Sequence, residues 1–276
     1  MSSADPTQLL TLGALLLAIG GLAGVIAGLL GVGGGIVLVP AFLYAFTALG
    51  YGGPHVMQIC LATSLATIAA TSMRSVRAHA AKGAVDREVL RGWAPYIAIG
   101  AIIGVVAAGG MKSTVLMLIF GVLGSIIGLY ISFGRDEWRL GDVMPKGIGR
   151  GISGTVIGFL SVLMGIGGGS FGVPLMRLYN VPIHRAVGTA SGFGLVIAVP
   201  SVIGFLLSGW SLTDLPPWTI GLVNLPAFVL VVATTMVTTP WGVKLAHALD
   251  PKPLKRIFGA FLIVVALNML RKALGY

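Results

Sequence analysis

Long apolar runs set the strictest limit on what this chain can become. They cover roughly residues 9–30, 36–49, 55–73, 92–111, 114–133, 151–164, 170–179, 186–208, 217–243 and 253–270. Most approach or exceed the ~20 residues a helix needs to cross a bilayer. Only 9% of the 276 residues are charged and 56% are hydrophobic, against about 25% charged in an ordinary soluble domain. Lipid must therefore solvate most of the surface. Inside hydrocarbon every backbone polar group needs an internal partner, so runs of this length are expected to be helices. The expected fold class is all-α, a polytopic membrane protein of eight to ten membrane segments.

The three short runs, 36–49, 151–164 and 170–179, all flank a glycine cluster. A helix of about 14 residues reaches only about 21 Å, less than a ~30 Å hydrocarbon core. GVGGGIVLVP at residues 31–40 returns as GIGGGSFGVP at 165–174. Helices are expected to stop and restart at both places, within the depth of the membrane.

The glycine clusters are one landmark of a longer repeat. Gly31–Gly35 and Pro40 match Gly165–Gly169 and Pro174 at an offset of 134. Ala62-Thr63-Ser64 resembles Gly188-Thr189-Ala190, and Gly83 matches Gly209, both at 126. Gly104-Val105 and Ile119–Gly121 match Gly242-Val243 and Ile257–Gly259 at 138. The order is kept and the offsets differ by loop-sized insertions. The chain therefore reads as a first repeat over 1–134, a connection over 135–150 and a second repeat over 151–276. Each repeat holds about five helical segments, the first broken at its glycine motif.

Lys and Arg set the relative orientation of the two repeats, because basic connections stay on the cytoplasmic side. If each broken segment returns to the side it started from, 15 of the 18 basic residues face one side and three, Lys112, Arg271 and Lys272, face the other. If each crosses once, the split falls to 11 against 7. The first arrangement is expected. It makes the repeats inverted and puts both termini away from the cytoplasm, in a cell inner (plasma) membrane. The same distribution accounts for the net charge of +10 without nucleic acid. Residues 1–8 carry no Lys or Arg, so the first apolar run is expected to remain in the mature protein.

Inverted repeats with interrupted helices are the usual build of a secondary transporter. Helix ends leave N–H groups without intrahelical partners, and at a helix start these carry partial positive charge that suits an anion. Glycine lets successive N–H groups converge, since positive φ costs it little. Gly33, Gly34 and Gly35 with Gly167, Gly168, Gly169 and Ser170 are therefore candidate anion ligands, approaching from opposite sides. Thr63, Thr67 and Thr71 form one helical stripe. Thr63, Ser64, Thr189 and Ser191 are added as candidate hydroxyl donors, whereas Thr234, Thr235, Thr238 and Thr239 read as packing residues. Asn224 sits within an apolar run and needs a partner there.

The eight acidic residues all fall in connections or at membrane edges. Cation carriers usually keep carboxylates inside the membrane, so an anion is the expected substrate. Cys60 is alone, no histidines have ligand spacing, and no catalytic constellation is present. Neither enzymatic activity nor a cofactor or metal is expected.

GLLGVGGGIVLVP, ATSLA at 62–66, AHAAKGAVD at 78–86 and GIGGGSFGVP together resemble the TauE/SafE family of membrane permeases. The resemblance implies export of a small sulfur oxyanion, such as sulfite, or of an organosulfonate. Family members read Gly-Thr-Ser in both halves. This chain has Ala62-Thr63-Ser64 and Gly188-Thr189-Ala190-Ser191. The expected activity is secondary transport by alternating access, one half rocking against the other around the bound anion. An anion-selective channel of the same architecture is the alternative. A homodimer is the default oligomeric expectation.

Overall fold

The structure is a computed structural model, and it describes residues 6–30, 34–134, 138–248 and 251–275. Ten helices carry the described chain: α1 (Pro6–Leu30), α2 (Gly35–Ala48), α3 (Val56–Ala81), α4 (Arg87–Gly110), α5 (Ser113–Phe133), α6 (Gly147–Met164), α7 (Gly169–Leu178), α8 (Ile183–Ser208), α9 (Leu225–Ala248) and α10 (Pro251–Ala273). Six of them, α3–α6, α8 and α9, are long and apolar enough to cross a membrane. α6 starts four residues ahead of its apolar run. Its 18 residues reach about 27 Å, so it is not the short segment that the run alone suggests.

The apolar run at 217–243 is not one helix. Thr219–Ile220 (β1) pairs antiparallel with Val223–Asn224 (β2), joined through Gly221 at φ +56°. Leu222 and Val223 of this ribbon are core residues, 2% and 5% exposed, which is why hydropathy alone merges it with α9.

Glycines bring the long helices into contact and reveal their directions. Along α4 and α6, Gly92 faces Arg150, Gly100 faces Thr155 and Gly104 faces Phe159 and Val162. Residue numbers rise together, so the two helices are parallel. Along α1 and α9, Gly20 faces Val231 and Thr234 while Gly24 faces Thr235 and Thr238, again parallel. α5 and α10 run antiparallel: Gly121 meets Ala266 and Leu270, and Gly128 meets Gly259 and Ile263. α3 and α8 are also antiparallel, Gly188 lying on Ala84 and Gly194 on Ile68 and Ser72. Small residues permit these close approaches, where dispersion and backbone contact replace the hydrophobic effect that lipid cannot supply.

The packing partners cross the sequence halves. α4 lies on α6 and α8, whereas α9 lies on α1 and α3. Exchanging each helix for the one five places along (α1 for α6, α2 for α7, α3 for α8, α4 for α9, α5 for α10) turns one set of contacts into the other.

One end of the bundle gathers the starts of α4, α6 and α8 and the ends of α3 and α7. Arg185 Nη2 lies 3.0 Å from Asp86 Oδ2, and the Leu140 N–H donates to Leu178 O at 2.8 Å. The α6–α7 segment thus returns to the end it left. Ser113, which donates to Pro54 O at 2.6 Å, marks the opposite end beside Lys112.

A Cβ on Gly158 would collide with the Ile97 carbonyl and lie 2.8 Å from Ala101 N. Gly158→Ala should cost about 1–3 kcal/mol through overpacking, read as earlier thermal unfolding in detergent. Gly109→Ala, with nothing within 4 Å, should not lower the transition.

Candidate functional site

The second glycine cluster is built as a helix stop followed by a helix start. Gly165 takes φ +62°, ψ 33°. Its N–H donates to Val162 O at 2.9 Å and the next N–H, of Ile166, donates to Ser161 O at 2.9 Å. This is a Schellman ending, for which a left-handed glycine is the favoured residue. α7 then begins at Gly169. Neither the amides of Gly167 and Gly168 nor the first amides of α7 have a protein acceptor among the described residues. Such orphan N–H groups are what a helix start offers a ligand.

The two clusters meet. Gly34 takes φ +69° at the start of α2. A Cβ on Gly35 would lie 2.7 Å from Gly165 O, 2.8 Å from Ile68 Cδ1 and 2.9 Å from Ile166 Cα. Only glycine allows this contact between the first motif, the second motif and α3. Gly33 lies outside the described residues.

Beside the second cluster is a cavity of about 40 Å³. Gly167–Gly169 form one wall, Thr71, Ser72 and Ser75 of α3 another, and Ser191 and Gly194 of α8 a third, with Ala27 and Thr239 closing it. The lining of α3 begins past Ile68, toward that helix's basic C-terminal end. Gly34 and Gly35 are not in the wall; they are buried against protein.

The candidate hydroxyls divide by what they already bind. Thr63 Oγ1 accepts from the Asn224 N–H at 3.0 Å, and Thr189 Oγ1 accepts from the Asp86 N–H at 2.9 Å. The two donors occupy matching places. Asp86 caps α4, its Oδ1 accepting from the Glu88 and Val89 amides at 3.1 and 3.0 Å. Asn224 caps α9, its Oδ1 accepting from the Ala227 amide at 3.1 Å, while its Nδ2 donates to Pro217 O and Thr219 Oγ1. Thr63 and Thr189 thus hold the starts of α9 and α4, and neither lines the cavity.

Ser64 Oγ donates to Gly165 O at 2.7 Å, satisfying a carbonyl freed by the helix break. Ser170 is 3% exposed, and its Oγ has no hydrogen-bond partner among the described residues; it too lies outside the cavity wall. Ser191 reaches the cavity but donates to Gly188 O at 2.6 Å. Thr234, Thr235 and Thr238 pack against Gly20 and Gly24, as packing residues should. Thr239 reaches the cavity. Ser72 and Ser75 were not among the candidates, although Ser75 continues the Thr67–Thr71 spacing by four. No group of acidic, cysteine or histidine side chains suited to a metal occurs among the described residues.

Thr63→Val keeps the shape but leaves the Asn224 N–H, in a residue 5% exposed, without an acceptor. It should cost about 1–3 kcal/mol in thermal unfolding. Thr189→Val should cost less, because Asp86 sits at a wetter end.

Comparison with known proteins now bears on this geometry. The family model described as "Sulfite exporter TauE/SafE" matches residues 16–269. A probable membrane transporter protein of Haemophilus influenzae is 32% identical over 239 residues, covering 86% of this chain and 90% of the relative. A probable membrane transporter protein of Methanocaldococcus jannaschii is 26% identical over 227 residues, covering 80% and 82%. No solved structure matches.

Proposed function

From the chain's membership of the sulfite exporter TauE/SafE family, we propose that it is a secondary transporter carrying a small anion out of the cell. The anion is sulfite, a related sulfur oxyanion or an organosulfonate, and it binds at the second glycine break. The observation that carries the reading is the cavity at Gly167–Gly169, where amide donors without protein acceptors face hydroxyl-bearing side chains of α3 and α8. No carboxylate lines that wall among the described residues, so nothing there repels an anion.

The repeats are inverted. Antiparallel pairing of α3 with α8 and of α5 with α10 supports this, because repeat mates that face opposite ways are related by an axis in the membrane plane. The basic end is cytoplasmic by the positive-inside rule. The cavity lies between the glycine break and that end, so the described arrangement is inward-facing.

Alternating access then follows from how the helices are shared. α1–α3 move with α9, and α6–α8 move with α4, since α9 and α4 each pack on the opposite sequence half. The Thr63–Asn224 and Thr189–Asp86 bonds hold each borrowed helix to its unit. The α3–α8 seam, where the two breaks touch, is the surface that slides. A negative interior drives anions outward, by about 2.3 kcal/mol per charge per 100 mV.

Vesicles loaded with sulfite should show saturable efflux with the wild-type protein. Gly168→Leu should abolish it, because even a Cβ at this position meets Phe193 and lies 3.1 Å from Gly194 N. Unchanged efflux from a folded Gly168→Leu protein would contradict the site. Flux that never saturates, with single-channel current, would contradict alternating access.

A further inference from the structure

Resting on the transport reading above, we infer that this cavity takes a singly charged oxyanion of about four heavy atoms, with the Ser72 hydroxyl as a direct donor. Size sets the first limit. About 40 Å³ holds roughly three water-sized groups, which matches the size of a small inorganic oxyanion.

The state of the hydroxyls points to Ser72. Of the five on the wall three are already spent, Thr71 donating to Thr67 O at 3.0 Å, Ser191 to Gly188 O and Thr239 to Thr235 O; Ser72 and Ser75 remain, and Ser72 is the more buried. Ser72 is 5% exposed, lines the cavity and has no hydrogen-bond partner among the described residues. Its Oγ is not among the fully buried unpartnered atoms, so it opens into the cavity and is available to donate to what binds there. Gly194 keeps it free to turn: a Cβ there would lie 2.6 Å from Ser72 Oγ. The repeat supplies an internal comparison. At the offset of 126, Thr71 and Ser72 correspond to Ile197 and Ala198, both 0% exposed. At these matching positions α8 therefore carries no hydroxyl.

Charge sets the second limit. No Lys, Arg or His lines the cavity among the described residues. The positive complement is the start of α7, worth about half an elementary charge, plus neutral donors. Desolvation cost rises with the square of the charge, so a dianion costs about four times as much as a monoanion. Partial charges can balance the one and leave the other uncompensated. Of the two forms of sulfite present near neutral pH, the site takes the singly protonated one.

Equilibrium binding to the purified full-length chain in nanodiscs tests this, using sulfite across its second ionisation and nitrate as an anion that does not titrate. Total-sulfite Kd should rise about tenfold per pH unit above the sulfite pKa, while nitrate affinity stays flat. Ser72→Ala should weaken both about tenfold, and Gly194→Ala likewise, with unchanged thermal unfolding. The wild-type pH series needs no variant, so a misfolded variant cannot mask the result. Sulfite binding that is flat with pH, or wild-type affinity in a folded Ser72→Ala protein, overturns the inference and leaves the transport reading standing. If the wild type neither binds any of these anions nor moves sulfite in vesicles, both fall.

Discussion

A backbone amide inside lipid must find a partner, and at the second glycine motif the helical backbone does not supply one. At the second glycine motif a Schellman turn closes α6, Ser64 satisfies the freed Gly165 carbonyl, and Gly35 of the first motif presses on the same carbonyl. Protein donors thus meet the carbonyls of Ser161, Val162 and Gly165. The amide needs at the start of α7 are not met, and it is on that side that the cavity lies. Those amides are donors at a helix start, which is the chemistry an anion site uses.

The two motifs divide the work between them. The described part of the first motif serves as packing, since Gly35 is buried against Gly165 and Ile166. Among the described residues, only those of the second motif reach the cavity. Helix exchange gives the same economy elsewhere: α4 and α9 each leave their own sequence half to cover the other, and a threonine, Thr189 or Thr63, fixes each start. The ends of the bundle differ in kind as well. Asp86 adds an ion pair to Arg185 at the basic end, whereas Asn224 adds amide bonds to Pro217 and Thr219 at its own site. The exposed ion pair contributes little on its own.

Much of this was legible in the sequence, because it depends on local chemistry. Run length gave the helices, and the second triple glycine marked the point where α6 stops and α7 starts. The spread of basic residues anticipated that 140 and 178 lie at one end. What was not legible depends on contacts far apart in the chain. Thr63 and Thr189 looked like free donors because nothing local reveals that Asn224 and Asp86, 161 and 103 residues away, occupy their oxygens. Asn224 looked buried in a helix because the β1–β2 ribbon is itself apolar. Ser72 was passed over since a lone serine on an amphipathic-neutral helix carries no signal until Gly194 and Gly168 are brought beside it.

Thiol accessibility tests most directly whether water and anions reach the glycine break. In a Cys60→Ala background, Ser72→Cys and Ser75→Cys should react with a charged, membrane-impermeant thiol reagent applied from the basic end, and sulfite should slow the reaction. Ala198→Cys, at the repeat-related position, should stay unreactive from that end. If residues 72 and 75 fail to react, or react at a rate that sulfite does not change, the amide groups of Gly167–Gly169 do not face a solvent-connected anion site.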